Sequence, residues 1–212
     1  MFIRLQMQCE FSSTALHNGY YQITIHAPDL AQQAEPGHFI SIDEKFNCYL
    51  LGASIDLNII ATPRLATYLE HKRHIGLSAL QGQALKKPEK DIFYVLSAQD
   101  DALSLIIFYL KRYRQYFKGL VILGTSSSFA FAPCPSRLVI PGFPADVIGA
   151  LPLFEDWGIP SRLASLNELP GAYHSDARSL CELWLANTKQ TTAQTLHFSG
   201  CEHQPDKKLA ML

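Results

Sequence analysis

The sequence predicts a two-domain α+β protein: an antiparallel β-barrel over residues 1–87, then an α/β domain with a parallel sheet over residues 91–212. Three observations predict it. Apolar and polar residues alternate with period two through the first part of the chain, the mark of strands with one wet face. After residue 91 strand-like and helix-like runs alternate, as in the units that build a parallel sheet with helices on its faces. Between the two, Lys86-Lys87-Pro88-Glu89-Lys90 is charged, carries a proline and separates the two periodicities, so it reads as a linker.

The elements follow in order. Ile3, Leu5, Met7, Cys9 and Phe11 alternate with Arg4, Gln6, Gln8 and Glu10, giving a first strand. His17-Asn18-Gly19 marks a turn, because Asn and Gly tolerate positive φ. Tyr21, Ile23 and Ile25 against Gln22, Thr24 and His26 give the return strand. Pro36-Gly37 breaks the chain before a third strand at 39–42. Apolar stretches at 48–60 and 75–80 supply further strands, with Leu65 and Leu69 marking a short helix between them. Short strands, turn signals and one small helix make a small barrel. In the second domain, 92–96 reads as a buried strand, and Asp100 and Asp101 open a helix running to about Phe117. Strands follow at 119–124, 138–140, 161–165 and 195–198. Helices are expected at 145–157, opened by Pro144 and ended by Gly158, and at 176–185.

Composition narrows the function. Hydrophobic residues are 48% and charged residues 17% of the 212, so the chain folds around real cores rather than staying disordered. A formal net charge of -1 supplies no electrostatic attraction to nucleic acid. No apolar run reaches the roughly 18 residues of a membrane span, and the alternating start is unlike a signal peptide. The cysteines Cys9, Cys48, Cys134, Cys181 and Cys201 are widely spaced with no C-x-x-C pair. That argues against zinc, an iron–sulfur cluster or a disulfide framework, and for reduced thiols in a cytoplasmic protein.

Longer strings carry a resemblance. Gly19-Tyr20-Tyr21-Gln22-Ile23-Thr24-Ile25-His26-Ala27-Pro28-Asp29-Leu30, then Pro36-Gly37-His38-Phe39-Ile40, resembles the opening of the ferredoxin reductase-like family. Within that family it is most similar to the electron-transfer subunit of dihydroorotate dehydrogenase. Leu151-Pro152-Leu153-Phe154-Glu155-Asp156-Trp157-Gly158-Ile159-Pro160 and Leu169-Pro170-Gly171 continue the similarity in order. The resemblance implies a flavin-binding barrel followed by a nicotinamide-binding domain.

The chain departs from that pattern at three places. The family's flavin motif is an arginine, one residue, an aromatic or leucine, and a serine or threonine. Here the matching stretch is Leu51-Gly52-Ala53-Ser54, with Leu51 at the arginine position. A guanidinium makes bidentate, charge-assisted bonds to phosphate and leucine makes none. The loss should cost roughly 1.5–3 kcal/mol, about one to two decades in affinity. Ser54 keeps its hydroxyl, Arg64 is a nearby cation that could replace the arginine, and with Gly82 these form a vestigial flavin site. Next, the family's glycine-rich phosphate turn is Ser97-Ala98-Gln99-Asp100-Asp101 here, with no glycine and two carboxylates. Charges of like sign about 4 Å apart repel by on the order of 1 kcal/mol in water and more at lower dielectric. The structural role for Asp100 and Asp101 is helix capping. Finally, Gly200-Cys201-Glu202 replaces the family's Cys-Gly-Pro turn, and no cysteine-rich cluster loop follows before Leu212. Asp100, Asp101 and Cys201 are thus the remnant of a nicotinamide site.

Other candidates are fewer. Ser126-Ser127-Ser128 follows a strand and could cap a helix or bind an anion, though a polar surface loop is the commoner use. Cys201 with His203 has the types of a nucleophile and base, but so close a spacing rarely gives their geometry. Ser126, Phe129, Phe131 and Phe143 lie in a stretch stiffened by Pro133, Pro135, Pro141 and Pro144. It is either core packing or a protein-interaction loop with little ordering entropy to lose. Two functions lead, ahead of a third, a sensor binding another nucleotide in the old cofactor cleft. In the first, eroded flavin, nicotinamide and iron–sulfur sites make the chain a non-catalytic structural or adaptor subunit with a protein partner and no cofactor. The alternative is an oxidoreductase, a FAD- or FMN-binding electron-transfer subunit holding flavin through Ser54, backbone groups and Arg64.

Overall fold

The period-two segments fold into a closed antiparallel barrel of six strands: β1 (Met7–Ala15), β2 (Tyr21–Ile25), β3 (His38–Ile42), β4 (Phe46–Ala53), β5 (Leu57–Ala61) and β6 (His74–Leu77). Their order is β4-β5-β2-β1-β6-β3, and β3 pairs back with β4; a two-residue β7 (Gln81–Gly82) pairs antiparallel with the start of β3. The computed structural model describes residues 7–190 and 192–200, so Ile3 and Leu5 of the first expected strand lie outside the described residues. One face of the alternation fills the barrel: Ile23, Ile25, Ile40, Ile42, Leu50 and Ile59 are each at most 1% exposed. Two short helices decorate it, α1 (Pro28–Gln33) and α2 (Pro63–Leu69). Thr62 caps α2 by accepting from the Leu65 N–H at 3.3 Å, and Pro63 takes the first helical position.

The β3–β4 hairpin turns on two residues with left-handed backbones, Asp43 (φ 48) and Glu44 (φ 56), closed by Lys45 N–H to the Ile42 carbonyl at 2.9 Å. Two positive φ values in succession define the tight turn that suits twisted antiparallel strands. Asp43 holds more than the turn. Its carboxylate accepts from Gly76 N–H at 2.7 Å, Lys72 Nζ at 2.9 Å and Tyr68 Oη at 3.1 Å, tying β3, α2 and β6 together. Burial alone would raise its pKa; the bonds from Gly76, Lys72 and Tyr68 outweigh burial and hold it below its ordinary 3.8. A carboxyl with a depressed folded pKa stabilises the fold above its unfolded pKa, and that contribution fades as pH falls through the folded value. Asp43→Asn keeps a residue that tolerates positive φ and removes the charge. It is expected to lower stability by about 2 kcal/mol at pH 7, with the gap to wild type narrowing below about pH 4 in urea titrations.

The second half is α/β: β8 (Tyr94–Gln99), α3 (Ala102–Tyr113), β9 (Gly119–Thr125), β10 (Cys134–Pro135), β11 (Gly149–Ala150), α4 (Pro152–Asp156), β12 (Ser161–Ser165), β13 (Tyr173–His174), α5 (Ala177–Thr188) and β14 (Gln194–Phe198). Five strands form a parallel sheet in the order β13-β12-β9-β8-β14. The chain steps outward from β8 through β9 and β12 to β13, then returns to place β14 on the other side of β8. That reversal is the switch point beside which open α/β sheets bind ligands, at the carboxyl ends of the strands. Asp176 caps α5 by accepting from Ser179 N–H at 2.7 Å, and Lys189 (φ 52) ends it.

The chain divides into two compact units. One takes the chain through Lys87 together with Ser104–Arg114; the other takes Pro88–Leu103 and the chain from Gln115 on. The Ser104–Arg114 segment of α3 therefore groups with the barrel, although strand–helix alternation places it after the linker. Phe108, 4% exposed, belongs to the barrel's own core cluster. Every residue from Ala102 to Leu110 is buried, as a helix apolar on all sides requires.

Two expected elements are absent between β9 and β12. Residues 138–140 form no strand: Val139, their centre, is 95% exposed. Residues 145–157 are not one helix; only Pro152–Asp156 is helical. Gly142 adopts φ 97, and Gly149 leaves the helical path to donate its N–H to the Gly171 carbonyl at 2.7 Å. A Cβ on Gly149 would lie 2.9 Å from that carbonyl oxygen, so bare backbone is needed there. Gly158 (φ 68) does end the helix.

Candidate functional site

Two places in the fold bear on cofactor chemistry, and each lies within one compact unit. The first is the outer face of β4. Cys48 and Leu50 belong to the barrel core, so Tyr49 and Leu51 alternate to the outside. Both are nonetheless buried, at 8% and 6% exposure. The register slips between Leu50 and Gly52, a bulge that bends the strand there. Lys111, from the α3 segment that groups with the barrel, donates from Nζ to the Leu51 carbonyl at 3.4 Å. The same ammonium would stand 3.7 Å from a Cβ on Gly52. The lysine stem is exposed, but burial of its ammonium end lowers the pKa below the ordinary lysine range. One position on, Arg112 Nη2 pairs with Glu35 at 2.8 Å.

Of the three barrel residues singled out in the sequence, Ser54 and Arg64 lie toward opposite ends of β4 and Gly82 lies against β3. Ser54 is exposed in the β4–β5 turn, where its N–H donates to the Asp56 carbonyl at 3.2 Å. Arg64 is exposed at the start of α2 and lies over the Phe46 ring, 5.7 Å from its centroid. Phe46 opens β4 and Ser54 follows its end; eight extended residues span about 26 Å. Gly82 (φ 86) sits against β3, where a Cβ would come 2.7 Å from the Gly37 carbonyl oxygen. Its need for bare backbone is met by strand packing. An open groove of about 620 Å³ does lie on the barrel, lined by β1, β2 and α2 residues such as Phe11, Tyr21, Ala66, Thr67 and Glu70. Ser54, Arg64 and Gly82 do not line it.

The second place is the carboxyl edge of the parallel sheet. Asp100 follows β8 with φ 52, and its N–H donates to the Gly124 carbonyl at 2.9 Å. Its carboxylate does not cap α3. It turns instead to the loop after β9, accepting from Ser126 N–H at 2.7 Å and Ser126 Oγ at 2.8 Å. Gln99 Nε2 lies 3.4 Å from the same carboxylate and 3.3 Å from Ser126 Oγ. Gln99 Oε1 accepts the Ala177 N–H that opens α5, at 3.1 Å. Asn167 Nδ2 donates to the Ser127 carbonyl at 2.9 Å, joining the loop after β12 to the loop after β9. Asp101 is exposed; Cys201 and His203 lie outside the described residues.

The proline-rich stretch is held from within the second unit. Phe129 is buried and packs on Phe131, with ring centroids 4.8 Å apart. Phe143 stacks on Trp184 at 6.2 Å. Arg162 is 6% exposed; its Nη1 donates to the Ser161 carbonyl at 2.7 Å and its Nη2 to the Leu138 carbonyl at 2.8 Å, while Nε is buried without a partner in the structure. Glu155, 7% exposed, accepts from Ser136 Oγ at 2.7 Å and Arg137 N–H at 2.8 Å. So of Ser126, Phe129, Phe131 and Phe143, the first is bound to Asp100 and all three aromatics make ring contacts; Val139 is the residue of this stretch that stands most exposed. Arg162 was discoverable, since a charge inside the strand-like run Ser161-Arg162-Leu163-Ala164-Ser165 must find partners when buried. Lys111 was not, because only the folded path of α3 brings it to β4.

No protein-family model and no curated protein sequence matches the chain. Solved structures do, by shape. Ferredoxin-NADP+ reductase from Plasmodium falciparum superposes with a TM-score of 0.59 at 13% identity, over 93% of this chain and 86% of that one. The chain has the two-domain fold of the ferredoxin-NADP+ reductases. The siderophore-interacting protein from Acinetobacter baumannii matches at 0.56 and 12% identity, over 91% and 78% of the two chains. An NADH-dependent reduced ferredoxin-NADP oxidoreductase matches at 0.57 and 10% identity, and this chain spans 65% of it. It spans 28% of an intact self-sufficient cytochrome P450 monooxygenase.

That fold is used elsewhere with flavin and nicotinamide nucleotides, so the donor sets can be tested for fit. A diphosphate needs cations and free amides. Beside Leu51 and Gly52 the cation at hand is Lys111, already bonded to a carbonyl. At the sheet edge the Ser126 and Ala177 amides are bonded to Asp100 and Gln99. Neither donor set fits a diphosphate. Among the described residues no three His, Cys, Asp or Glu side chains group as a metal site would, and no helix is long and apolar enough to cross a membrane.

Proposed function

We propose that this chain is a ferredoxin reductase-like protein in a non-catalytic role, a structural or adaptor subunit of a larger cytoplasmic assembly without flavin, nicotinamide or iron–sulfur chemistry of its own. One observation carries the reading: at the position of the flavin motif's arginine, Leu51 is buried and the neighbouring ammonium of Lys111 is engaged by the Leu51 carbonyl. A protein partner is supported by the excursion between β9 and β12, which Arg162 and Glu155 pin while Val139 stands out at its tip. A pinned apolar tip has little entropy to lose on docking. The described cysteines Cys9, Cys48, Cys134 and Cys181 are joined by no disulfide, in keeping with a reducing compartment.

A second reading is favoured by Lys111 itself. A lysine beside the bare backbone of Gly52 is a relocated cation, and on a small rearrangement it could meet a flavin phosphate. The chain would then be a FAD-dependent electron-transfer subunit resembling that of dihydroorotate dehydrogenase. Thermal shifts with FAD, FMN and NADH separate the two. A ligand at 100 times its dissociation constant stabilises by about 2.7 kcal/mol, so a bound flavin raises the melting midpoint by several degrees. The non-catalytic reading expects no saturable shift with any of the three; a saturable shift with FAD or FMN that Lys111→Met abolishes establishes the second reading.

A further inference from the structure

We propose that Gln99 and Asp100 are the parallel sheet's own anionic ligand: their side chains take the amide donors that a dinucleotide diphosphate would use at this edge, and so close the second unit to dinucleotides. The inference concerns this edge alone and stands whether or not the barrel takes a flavin. It rests on donors at this edge that are already taken, two on Ser126 and one at the start of α5. Ser126 N–H and Ser126 Oγ both point at the Asp100 carboxylate, at 2.7 and 2.8 Å, with Gln99 Nε2 as a third donor at 3.4 Å. The Ala177 amide at the start of α5 is taken by Gln99 Oε1 at 3.1 Å. One dipeptide thus satisfies the loop after β9 and the N-terminus of the helix that follows β13.

The backbone is shaped for this arrangement. Asp100 occupies the left-handed region at φ 52, which Asp tolerates better than most residues and where a phosphate-binding turn would use glycine. Gly124 lies opposite, and a Cβ there would come 2.0 Å from Gln99 Oε1. The missing side chain of Gly124 therefore makes room for the amide of Gln99, and Asp100 is the stand-in for a bound anion. A diphosphate would have to displace a bonded carboxylate and then lie beside its charge.

The test uses ADP and inorganic pyrophosphate as probes on the full chain at constant ionic strength, by calorimetry and by the Ser126 amide resonance. Wild type is expected to show no saturable binding up to about 1 mM. Asp100→Gly, which suits the positive φ and frees the Ser126 amide, is expected to bind both probes about tenfold or more tighter than wild type, with the Ser126 resonance moving on titration. Asp100→Asn removes the charge but keeps an acceptor on that amide, and is expected to gain less than Asp100→Gly; an equal gain would assign the closure to charge alone and overturn the role given to the amide. A folded Asp100→Gly with no gain in affinity overturns the proposal. Should that variant not fold, Asp100→Ser makes the same comparison. Wild-type protein whose Ser126 resonance saturates with ADP overturns the proposal by itself.

Discussion

Arg162→Ala is expected to destabilise the protein by about 3 kcal/mol in urea unfolding. The side chain is buried on β12, and its two terminal nitrogens satisfy the Ser161 and Leu138 carbonyls. Alanine leaves the Leu138 carbonyl with only the longer 3.3 Å bond from Ser136 Oγ, opens a cavity beside Phe143, and removes the positive charge that faces buried Glu155. Arg162→Met fills most of the volume and loses only the polar contacts, so its cost should be about half. Both variants should speed proteolysis near Val139, because Leu138 is the point at which Arg162 holds the excursion. Equal stability and unchanged cleavage in Arg162→Ala would show that the excursion is held by Phe143, Trp184 and Glu155 alone.

Phe108→Ala should cost about 3–4 kcal/mol, the usual penalty for deleting a buried aromatic ring. The ring belongs to the barrel core cluster although the residue lies on α3. The accompanying effect matters more. With its anchor gone, the last turns of α3 should loosen, and Lys111 should leave the Leu51 carbonyl. Hydrogen exchange of the 104–114 amides is the measurement, with faster exchange there than in β9 as the expected outcome. If Phe108→Ala unfolds at wild-type urea concentrations and leaves that exchange unchanged, α3 is not held by the barrel.

Much of the fold was legible because period two and strand–helix alternation are imposed by burial. The barrel strands follow the inward residues Ile23, Ile25, Ile40 and Ile42, and β12 and α5 begin where Ser161 and Asp176 place them. The excursion between β9 and β12 was not legible. Pro144 and Gly158 look like the start and stop of one helix, but Gly149 between them is there for its approach to Gly171, a residue more than twenty positions away. The Asp43–Glu44 turn was also hidden, since neither residue is a glycine and the strain is met by Gly76, Lys72 and Tyr68.

At the candidate sites the residue types were visible and their connections were not. Leu51-Gly52-Ala53-Ser54 can be read in one dimension; that Lys111 comes to the Leu51 carbonyl depends on α3 grouping with the barrel. Asp100 and Asp101 look like helix caps because they precede a helix. The left-handed backbone at Asp100 sends its carboxylate to Ser126 instead. The choice between capping and cross-strand bonding depends on one φ angle, which no residue type specifies.

The central claim is that this reductase fold works without a flavin. It is tested most directly by the visible absorbance of the chain purified without added cofactor, then again after incubation with excess FAD and removal of the unbound portion, with denaturing extraction of each sample. The account predicts no flavin bands and no extractable flavin in either. Flavin recovered in stoichiometric amount from either sample would contradict it.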